Sequence, residues 1–202
     1  MLTLSPPTPR FGYVIAHGAG AGMRHPFLET IAQALLSRDV ATLRYEFPYM
    51  EAKKSRPDSP AVAAARVREA VDRANQEWPG LPLLAGGKSF GGRMTSTAQS
   101  ESPLPGVRGL VFLGFPLHPP GKPSITRAEH LYPIKIPMLF LQGTRDEFAQ
   151  RPLITEVCEQ IGTRATLQWI EGGDHSFKVG KGRDVIAELA DHILRWGGAV
   201  VQ

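Results

Sequence analysis

Short apolar runs alternate with longer amphipathic segments along most of this chain, and glycine or proline stands at most of the joins. Short apolar runs are typical of buried strands, whereas apolar residues spaced three and four apart predict helices. The predicted strands are 12–16, 40–47, 81–86, 107–115, 138–142 and 165–170, and the predicted helices are 25–37, 61–78, 89–99, 151–161 and 183–196. Nearly continuous apolar strands separated by helices are typical of a parallel sheet that helices cover on both faces. The pattern therefore predicts an α/β fold with one doubly wound, mainly parallel six-stranded sheet.

The composition is that of an ordinary globular protein, with 42% hydrophobic and 21% charged residues among 202. We therefore expect one domain over residues 1–202 with one sizeable core. No apolar run approaches the ~20 residues that a membrane helix requires. The start MLTLSPPTPR lacks the layout of a signal peptide. A cytoplasmic protein without a membrane partner is expected.

Charge and cysteine content argue against several other classes of function. The formal net charge of +4 is carried by dispersed residues, and the local group Lys53, Lys54 and Arg56 has no accompanying aromatic residues. We expect no nucleic-acid partner. The single cysteine, Cys158, cannot form an internal disulfide and is predicted to pack in the core, so no metal or redox role is indicated.

The sequence LPLLAGGKSFGGRM, residues 81–94, can be interpreted in two ways. A phosphate-binding P-loop needs a glycine five positions before Gly87, and Pro82 stands there without an N–H to offer. The alternative is G-x-S-x-G, which Gly87, Ser89 and Gly91 satisfy between a predicted strand and a predicted helix. This context favours a nucleophile elbow, in which Ser89 would attack a carbonyl.

A serine nucleophile needs a base, and the base needs an orienting group. Asp146 follows the fifth predicted strand and His175 follows the sixth, so both are expected at the sheet edge where Ser89 lies. The order Ser, Asp, His is that of α/β-hydrolases. Ser89, His175 and Asp146 are therefore the predicted catalytic residues, acting as nucleophile, base and orienting acid. Asp174 competes as the partner of His175, although adjacent residues point in different directions.

Four motifs carry a resemblance that covers nearly the whole chain: HGAGAG at 17–22, GKSFGG at 87–92, GTRDEF at 143–148 and GGDHSF at 172–177. With them the chain resembles a compact α/β-hydrolase of the dienelactone-hydrolase-like group. It looks closest to a branch named for a testis-expressed protein, which shares HPPGKP at 118–123. The family implies an eight-stranded sheet. Only about eleven residues precede the first predicted strand, so the two antiparallel strands that usually open the fold are expected to be absent.

The resemblance also implies an oxyanion hole of two backbone N–H groups. Phe90 follows the nucleophile and is the first expected donor, and Ala19, with Gly20 as neighbour, is the second. His17 is expected to brace this loop by hydrogen bonding. The family implies neither a cofactor nor a metal.

The segment from 116 to 137 is predicted to be a loop with at most one helical turn near 128–131. This fold often inserts a lid there, but about twenty residues are too few for a helical cap. An open or shallow pocket is therefore expected, and a small or protruding substrate is favoured. The residues expected to line it or to bind the substrate are Phe115, Leu117, His118, Tyr49, Gly20 and Lys88. The loop could equally bind a protein partner.

Lys88 stands beside the nucleophile and, with Arg93, Arg145 and Lys178, could make the pocket mouth electropositive. Two interpretations of these basic residues are open: they bind an anionic substrate, or their charges face outward into solvent. The leading function is a serine hydrolase that cleaves an ester, less readily an amide or thioester, through an acyl-enzyme. The alternative is a hydrolase-fold protein that mainly binds another protein.

Overall fold

The computed structural model describes residues 1–202 and contains one seven-stranded sheet. Its strands are β1 (Leu2–Leu4), β2 (Phe11–Ala16), β3 (Val40–Tyr45), β4 (Leu83–Lys88), β5 (Val107–Leu113), β6 (Met138–Gly143) and β7 (Ala165–Ile170). Its helices are α1 (Pro26–Leu36), α2 (Pro48–Glu51), α3 (Pro60–Glu77), α4 (Phe90–Glu101), α5 (Arg151–Ile161) and α6 (Val185–Val200), with 3₁₀ turns at Thr126–Leu131 and Gly162–Arg164. The strand order is β1-β3-β2-β4-β5-β6-β7, and all neighbours except β1 and β3 are parallel. The predicted fold class is confirmed.

The seventh strand corrects the predicted number of six and the expectation that no antiparallel strand opens the fold. β1 pairs antiparallel with β3, with Leu2 opposite Arg44 and Leu4 opposite Thr42. Three residues are too few to show a period of two, so the sequence pattern gave no signal for this strand. Pairing with the free edge of β3 makes the segment a strand.

Helices cover the two faces of the sheet and create two cores. α3, α4 and α5 pack on one face around a cluster of 32 buried residues, and α1 and α6 cover the other face around a cluster of 17. Every residue of β2, β3 and β6 is buried. This burial explains the continuous apolar runs, because a strand covered on both faces has no solvent-facing side.

Proline and a capping side chain define several element boundaries. Ser59 accepts a hydrogen bond from the Val62 N–H at the start of α3, and Pro60 occupies the first turn. β3 ends at Tyr45, two residues earlier than predicted, because Pro48 begins the short helix α2 just beyond it. The sequence pattern did not predict α2.

The parallel arrangement brings the carboxyl ends of β2, β4, β6 and β7 to one edge of the sheet. The connection from β5 to β6 starts at this edge and contains one regular element, the 3₁₀ turn Thr126–Leu131. There is therefore no separate lid domain. No helix is both long enough and apolar enough to cross a bilayer.

Candidate active site

The turn from β4 into α4 holds Ser89 in a conformation that is uncommon for a residue other than glycine, with φ of +50° and ψ of −117°. Its N–H donates to the Leu113 carbonyl at 3.2 Å. The preceding strand lies very close to β2, since a Cβ on Gly87 would be 2.2 Å from the Ala16 carbonyl oxygen. Strained backbone of this kind persists only where the surrounding structure fixes it. The G-x-S-x-G sequence therefore has the strand, turn and helix context of a nucleophile elbow.

The side chains of Ser89, His175 and Asp146 meet above the ends of β4, β6 and β7. His175 Nε2 lies 2.8 Å from Ser89 Oγ. His175 Nδ1 lies 2.9 and 2.8 Å from the two carboxylate oxygens of Asp146. The carboxylate accepts a hydrogen bond from the Nδ1–H group, so the proton of the neutral ring is on Nδ1 and Nε2 is the acceptor for the serine hydroxyl. This geometry is suited to general base catalysis.

One side-chain amide and one backbone N–H donate hydrogen bonds to the Asp146 carboxylate, which is fully buried. Gln142 Nε2 donates to Asp146 Oδ2 at 2.6 Å, and the Phe148 N–H donates to Oδ1 at 2.8 Å. Gln142 is itself fixed, because its Oε1 accepts the Phe115 N–H at 2.9 Å. Sequence interpretation missed Gln142, whose only signal is its place at the end of β6, four residues before the acid.

Asp174, the competing partner of His175, faces its own loop. Its Oδ1 accepts hydrogen bonds from the N–H groups of Ser176 and Lys178 at 2.8 and 2.9 Å. Such Asx turns use the carboxylate to organise local backbone. The carboxylate in contact with His175 is therefore that of Asp146.

The loop after β2 presents backbone beside Ser89. A Cβ on Gly18 would lie 3.7 Å from Ser89 Cβ, and Ala19 lines the cavity in which Ser89 lies. The N–H groups of Ala19 and Phe90 donate to no acceptor within the protein. Both are free to donate to an anionic oxygen bound at this position.

His17 and Tyr49 brace this loop from behind. The Phe47 N–H donates to His17 Nε2 at 3.1 Å, so the proton of the neutral ring is on Nδ1, which donates to the Gly18 carbonyl at 2.8 Å. Burial lowers the pKa of His17 and favours this neutral form. The Gly20 N–H donates to Tyr49 Oη at 2.9 Å. The bracing predicted for His17 is confirmed.

A cavity of about 300 Å³ adjoins the Ser89 hydroxyl. It is bounded by the loop after β2, the first turn of α1 and the loops that carry the acid and the histidine. Phe27 and Phe148 supply aromatic walls, and the Phe148 ring lies 4.2 Å from the His175 ring between centroids. Sequence interpretation missed both phenylalanines, although Phe148 falls within the GTRDEF motif.

Four residues predicted to line the pocket lie elsewhere. Tyr49 is 2% exposed and lies behind the loop, and Phe115 and Leu117 are fully buried in the larger core. His118 is also buried, where its Nδ1 contacts the Pro119 carbonyl and its Nε2 accepts the Gln150 N–H. Leu117 and His118 are buried because the 116–137 segment folds down onto α4 and the sheet rather than over Ser89. Gly20 is exposed in the loop after β2 but does not line the cavity.

The basic residues expected at the pocket mouth do not form one cluster. The Lys88 ammonium turns inward and donates to the main-chain carbonyl of His175. Arg145 Nε donates to the Gly172 carbonyl at 2.9 Å, and Lys178 is exposed. Arg93 lies near a second arginine of the 3₁₀ turn, so burial and like charge lower its pKa. Lys88 contributes its side chain to the cavity wall rather than a free charge to the mouth.

A second serine and histidine pair links α4 to the 3₁₀ turn. Ser96 Oγ lies 2.8 Å from His130 Nε2 and donates to the Arg93 carbonyl at 2.9 Å. The serine is fully buried, and no carboxylate contacts the histidine. Burial and the nearby Arg93 charge lower the pKa of His130 to about 4. Unlike Ser89 and His175, this pair has neither an adjoining cavity that a substrate could enter nor a carboxylate that orients the histidine. No group of three or more His, Cys, Asp or Glu side chains is placed to hold a metal ion.

Solved structures of the same fold include several esterases and serine hydrolases. A dienelactone hydrolase from Anabaena variabilis matches with a TM-score of 0.78 and 21% identity over 99% of this chain and 91% of that one. An α/β serine hydrolase without a lid from Xanthomonas campestris matches at 0.75 and 18% identity over 96% and 87%. Est1E from Butyrivibrio proteoclasticus, bound to ferulic acid, matches at 0.75 and 13% identity over 99% and 94%. At these identities the likeness shows the fold.

The sequence itself matches a family model described as "Alpha/beta hydrolase domain" over residues 9–195. The match includes the turn at Ser89 and the loops of Asp146 and His175. It extends from just before β2 to the last turns of α6. The chain therefore belongs to the alpha/beta hydrolase domain family.

Proposed function

We propose that this protein is a serine hydrolase that cleaves a small or exposed carboxylic ester through an acyl-enzyme. The observation that carries the proposal is the continuous hydrogen-bonded line from Ser89 Oγ through His175 to the buried Asp146 carboxylate. Each partner is within 2.9 Å of the next, which is the reach that proton transfer requires.

The reaction would proceed in two halves at one site. Ser89 Oγ forms a bond to the ester carbonyl carbon while His175 Nε2 takes the hydroxyl proton, and Asp146 supports the imidazolium charge. The free N–H groups of Ala19 and Phe90 donate to the oxyanion. Collapse expels the alcohol, which receives the proton from His175. Water then repeats the sequence on the acyl-enzyme, releases the acid and restores Ser89.

The pocket favours compact esters over long acyl chains. A volume of about 300 Å³ holds a small acyl or aromatic group, and no lid domain extends the apolar wall. The aromatic walls at Phe27 and Phe148, together with the ferulic acid bound to Est1E, favour a flat or aromatic group. Amides and thioesters are less favoured substrates. The branch named for a testis-expressed protein stays part of the proposal, supported by HPPGKP at 118–123.

Fluorophosphonate labelling followed by peptide mass spectrometry tests the proposal, because the probe reacts only with an activated serine. The wild-type protein should be modified on Ser89, and Ser89→Ala should not be modified. His175→Ala should label slower by a factor on the order of 10⁴ or more, as for other triad deletions.

Ser96→Ala provides the matched control, since it removes the other serine that contacts a histidine. It should label at the wild-type rate. A wild-type protein that stays unmodified while a known serine hydrolase labels in the same mixture would contradict the enzyme proposal and favour a protein-binding role.

A further inference from the structure

Lys88, the last residue of β4, places an ammonium group inside the protein immediately before the nucleophile. Nζ donates to the main-chain carbonyl of His175 at 2.5 Å and lies 5.3 Å from the centroid of the Phe177 ring. No carboxylate lies within ion-pair distance of it. The residue as a whole is half-buried. An ammonium held inside the protein without an ion-pair partner is costly for a fold, so its one hydrogen bond is of interest.

The ammonium lies beside the acid and the imidazole of the proposed triad. A Cβ built on Gly114 would be 3.1 Å from Lys88 Nζ, 3.5 Å from Asp146 Oδ2 and 3.6 Å from His175 Cε1. The three groups thus surround one small residue. Burial lowers the pKa of Lys88 to about 8, and the nearby carboxylates of Asp146 and Asp174 oppose that shift.

The segment that carries His175 depends on such contacts for its position. Residues 171–184 connect β7 to α6 without a helix or a strand, so no regular hydrogen-bond ladder fixes the imidazole. Asp174 organises the turn locally, and the Arg145 N–H donates to the Gly173 carbonyl from the loop that carries the acid. Lys88 is the residue that ties this segment to the strand leading into Ser89.

We propose that Lys88 is a positioning residue: its ammonium holds the main chain at His175 so that the imidazole stays within hydrogen-bond reach of Ser89. The inference rests on the proposed hydrolase function and deepens it. It replaces the earlier interpretation of Lys88 as a residue that binds an anionic substrate. An imidazole displaced by about 1 Å can cost on the order of a hundredfold in rate, so one charge-assisted hydrogen bond can matter this much.

Steady-state hydrolysis of p-nitrophenyl acetate by the wild type, Lys88→Met and Lys181→Met tests this role. Lys88→Met should lower kcat by roughly tenfold to a hundredfold while KM stays within about twofold, because the ammonium donates to the His175 carbonyl and is proposed to position the imidazole instead of binding the substrate. Lys181 is an exposed lysine of the same segment, and Lys181→Met should behave as the wild type. A wild-type kcat in Lys88→Met would overturn the inference.

Chemical rescue separates the charge from simple packing. Lys88→Ala removes a fragment equivalent to propylammonium, and the site is reachable because the Lys88 side chain lines the cavity. Added propylammonium should restore hydrolysis in a saturable manner, whereas 1-propanol should not. Equal rescue by the alcohol, or no rescue in a folded variant, would contradict a role for the ammonium.

The alkaline side of the pH profile gives a second readout. Charged and titratable groups facing Lys88 are Asp146, Asp174 and His175. As pH rises through about 8 the ammonium loses its proton, so wild-type kcat should fall toward the Lys88→Met value. Lys88→Met should lack this step, and an identical alkaline step in both proteins would count against the inference.

Hydrogen exchange measured by mass spectrometry distinguishes failure of this inference from failure of the proposed function, because it needs no substrate. Lys88→Met should exchange faster in residues 172–178, and Lys181→Met should not. If Lys88→Met exchanges faster but the wild type hydrolyses no ester, the contact between Lys88 and the His175 segment is supported and the proposed function is contradicted. If Lys88→Met exchanges like the wild type and the wild type is an active hydrolase, only the positioning role of Lys88 is overturned. Lys88→Ala, which also removes the donor, replaces Lys88→Met if that variant fails to fold.

Discussion

Replacement of Gly91 by alanine tests how closely the nucleophile-bearing helix must approach the sheet. Gly91 is the second residue of α4, and it faces the end of β2. A Cβ at this position would lie 2.5 Å from the His17 carbonyl oxygen and 2.6 Å from the Ala16 Cβ. The obstructing atoms are backbone and a short side chain, so no flexible group can move aside.

The size of the effect follows from these distances. Ordinary contact begins near 3.4 Å, so the first turn of α4 must shift by about 0.9 Å. Overpacking of this kind costs about 1–3 kcal/mol of folding free energy, which leaves most proteins folded. The same shift moves Ser89 relative to His175 and the amides of the loop after β2, and it should reduce the rate by on the order of a hundredfold.

Two measurements on Gly91→Ala check this reasoning. Urea unfolding should show the loss of free energy, and the fluorophosphonate labelling rate should fall by more than stability alone explains. Gly180→Ala is the matched control, because nothing lies within 4 Å of its added Cβ. Labelling of Gly91→Ala at the wild-type rate, with unchanged unfolding, would refute the idea that close helix-to-sheet contact positions the serine.

Two further predictions concern buried polar groups around the site. Gln142→Leu should lower the free energy of unfolding by about 2–5 kcal/mol and slow Ser89 labelling, since it removes a donor to Asp146 and leaves the buried Phe115 N–H without an acceptor. Gln150→Leu, at an exposed position, is its control in urea unfolding, and equal stability of the two variants would contradict the prediction. Because burial lowers the pKa of His17, the stability it contributes is present above about pH 6.5 and is lost as pH falls. His17→Gln should therefore flatten the loss of unfolding free energy between pH 7 and 5, and an unchanged pH dependence would show that His17 is not responsible.

The chemistry of the proposed site was predictable because it depends on short local signals at strand ends. G-x-S-x-G, an acid after one strand and a histidine after the next fix which residues reach the edge of a parallel sheet. The substrate pocket was not predictable in this way. Tyr49, Leu117 and His118 were expected to line it, and all three are buried. Tyr49 lies behind the loop after β2, and Leu117 and His118 belong to the segment after β5, which packs down onto α4.

The sequence by itself determined the α/β class, most element boundaries and the identity of the three side chains that meet, which are Ser89, His175 and Asp146. It could do so because hydrophobic periodicity and turn residues act over a few positions. Only the tertiary structure decided that residues 2–4 form a strand, that Phe27 and Phe148 bound the cavity, and that the Lys88 ammonium faces His175 rather than solvent. These features depend on contacts between residues far apart in the chain. Neither local periodicity nor residue type records which distant surface will cover a given side chain.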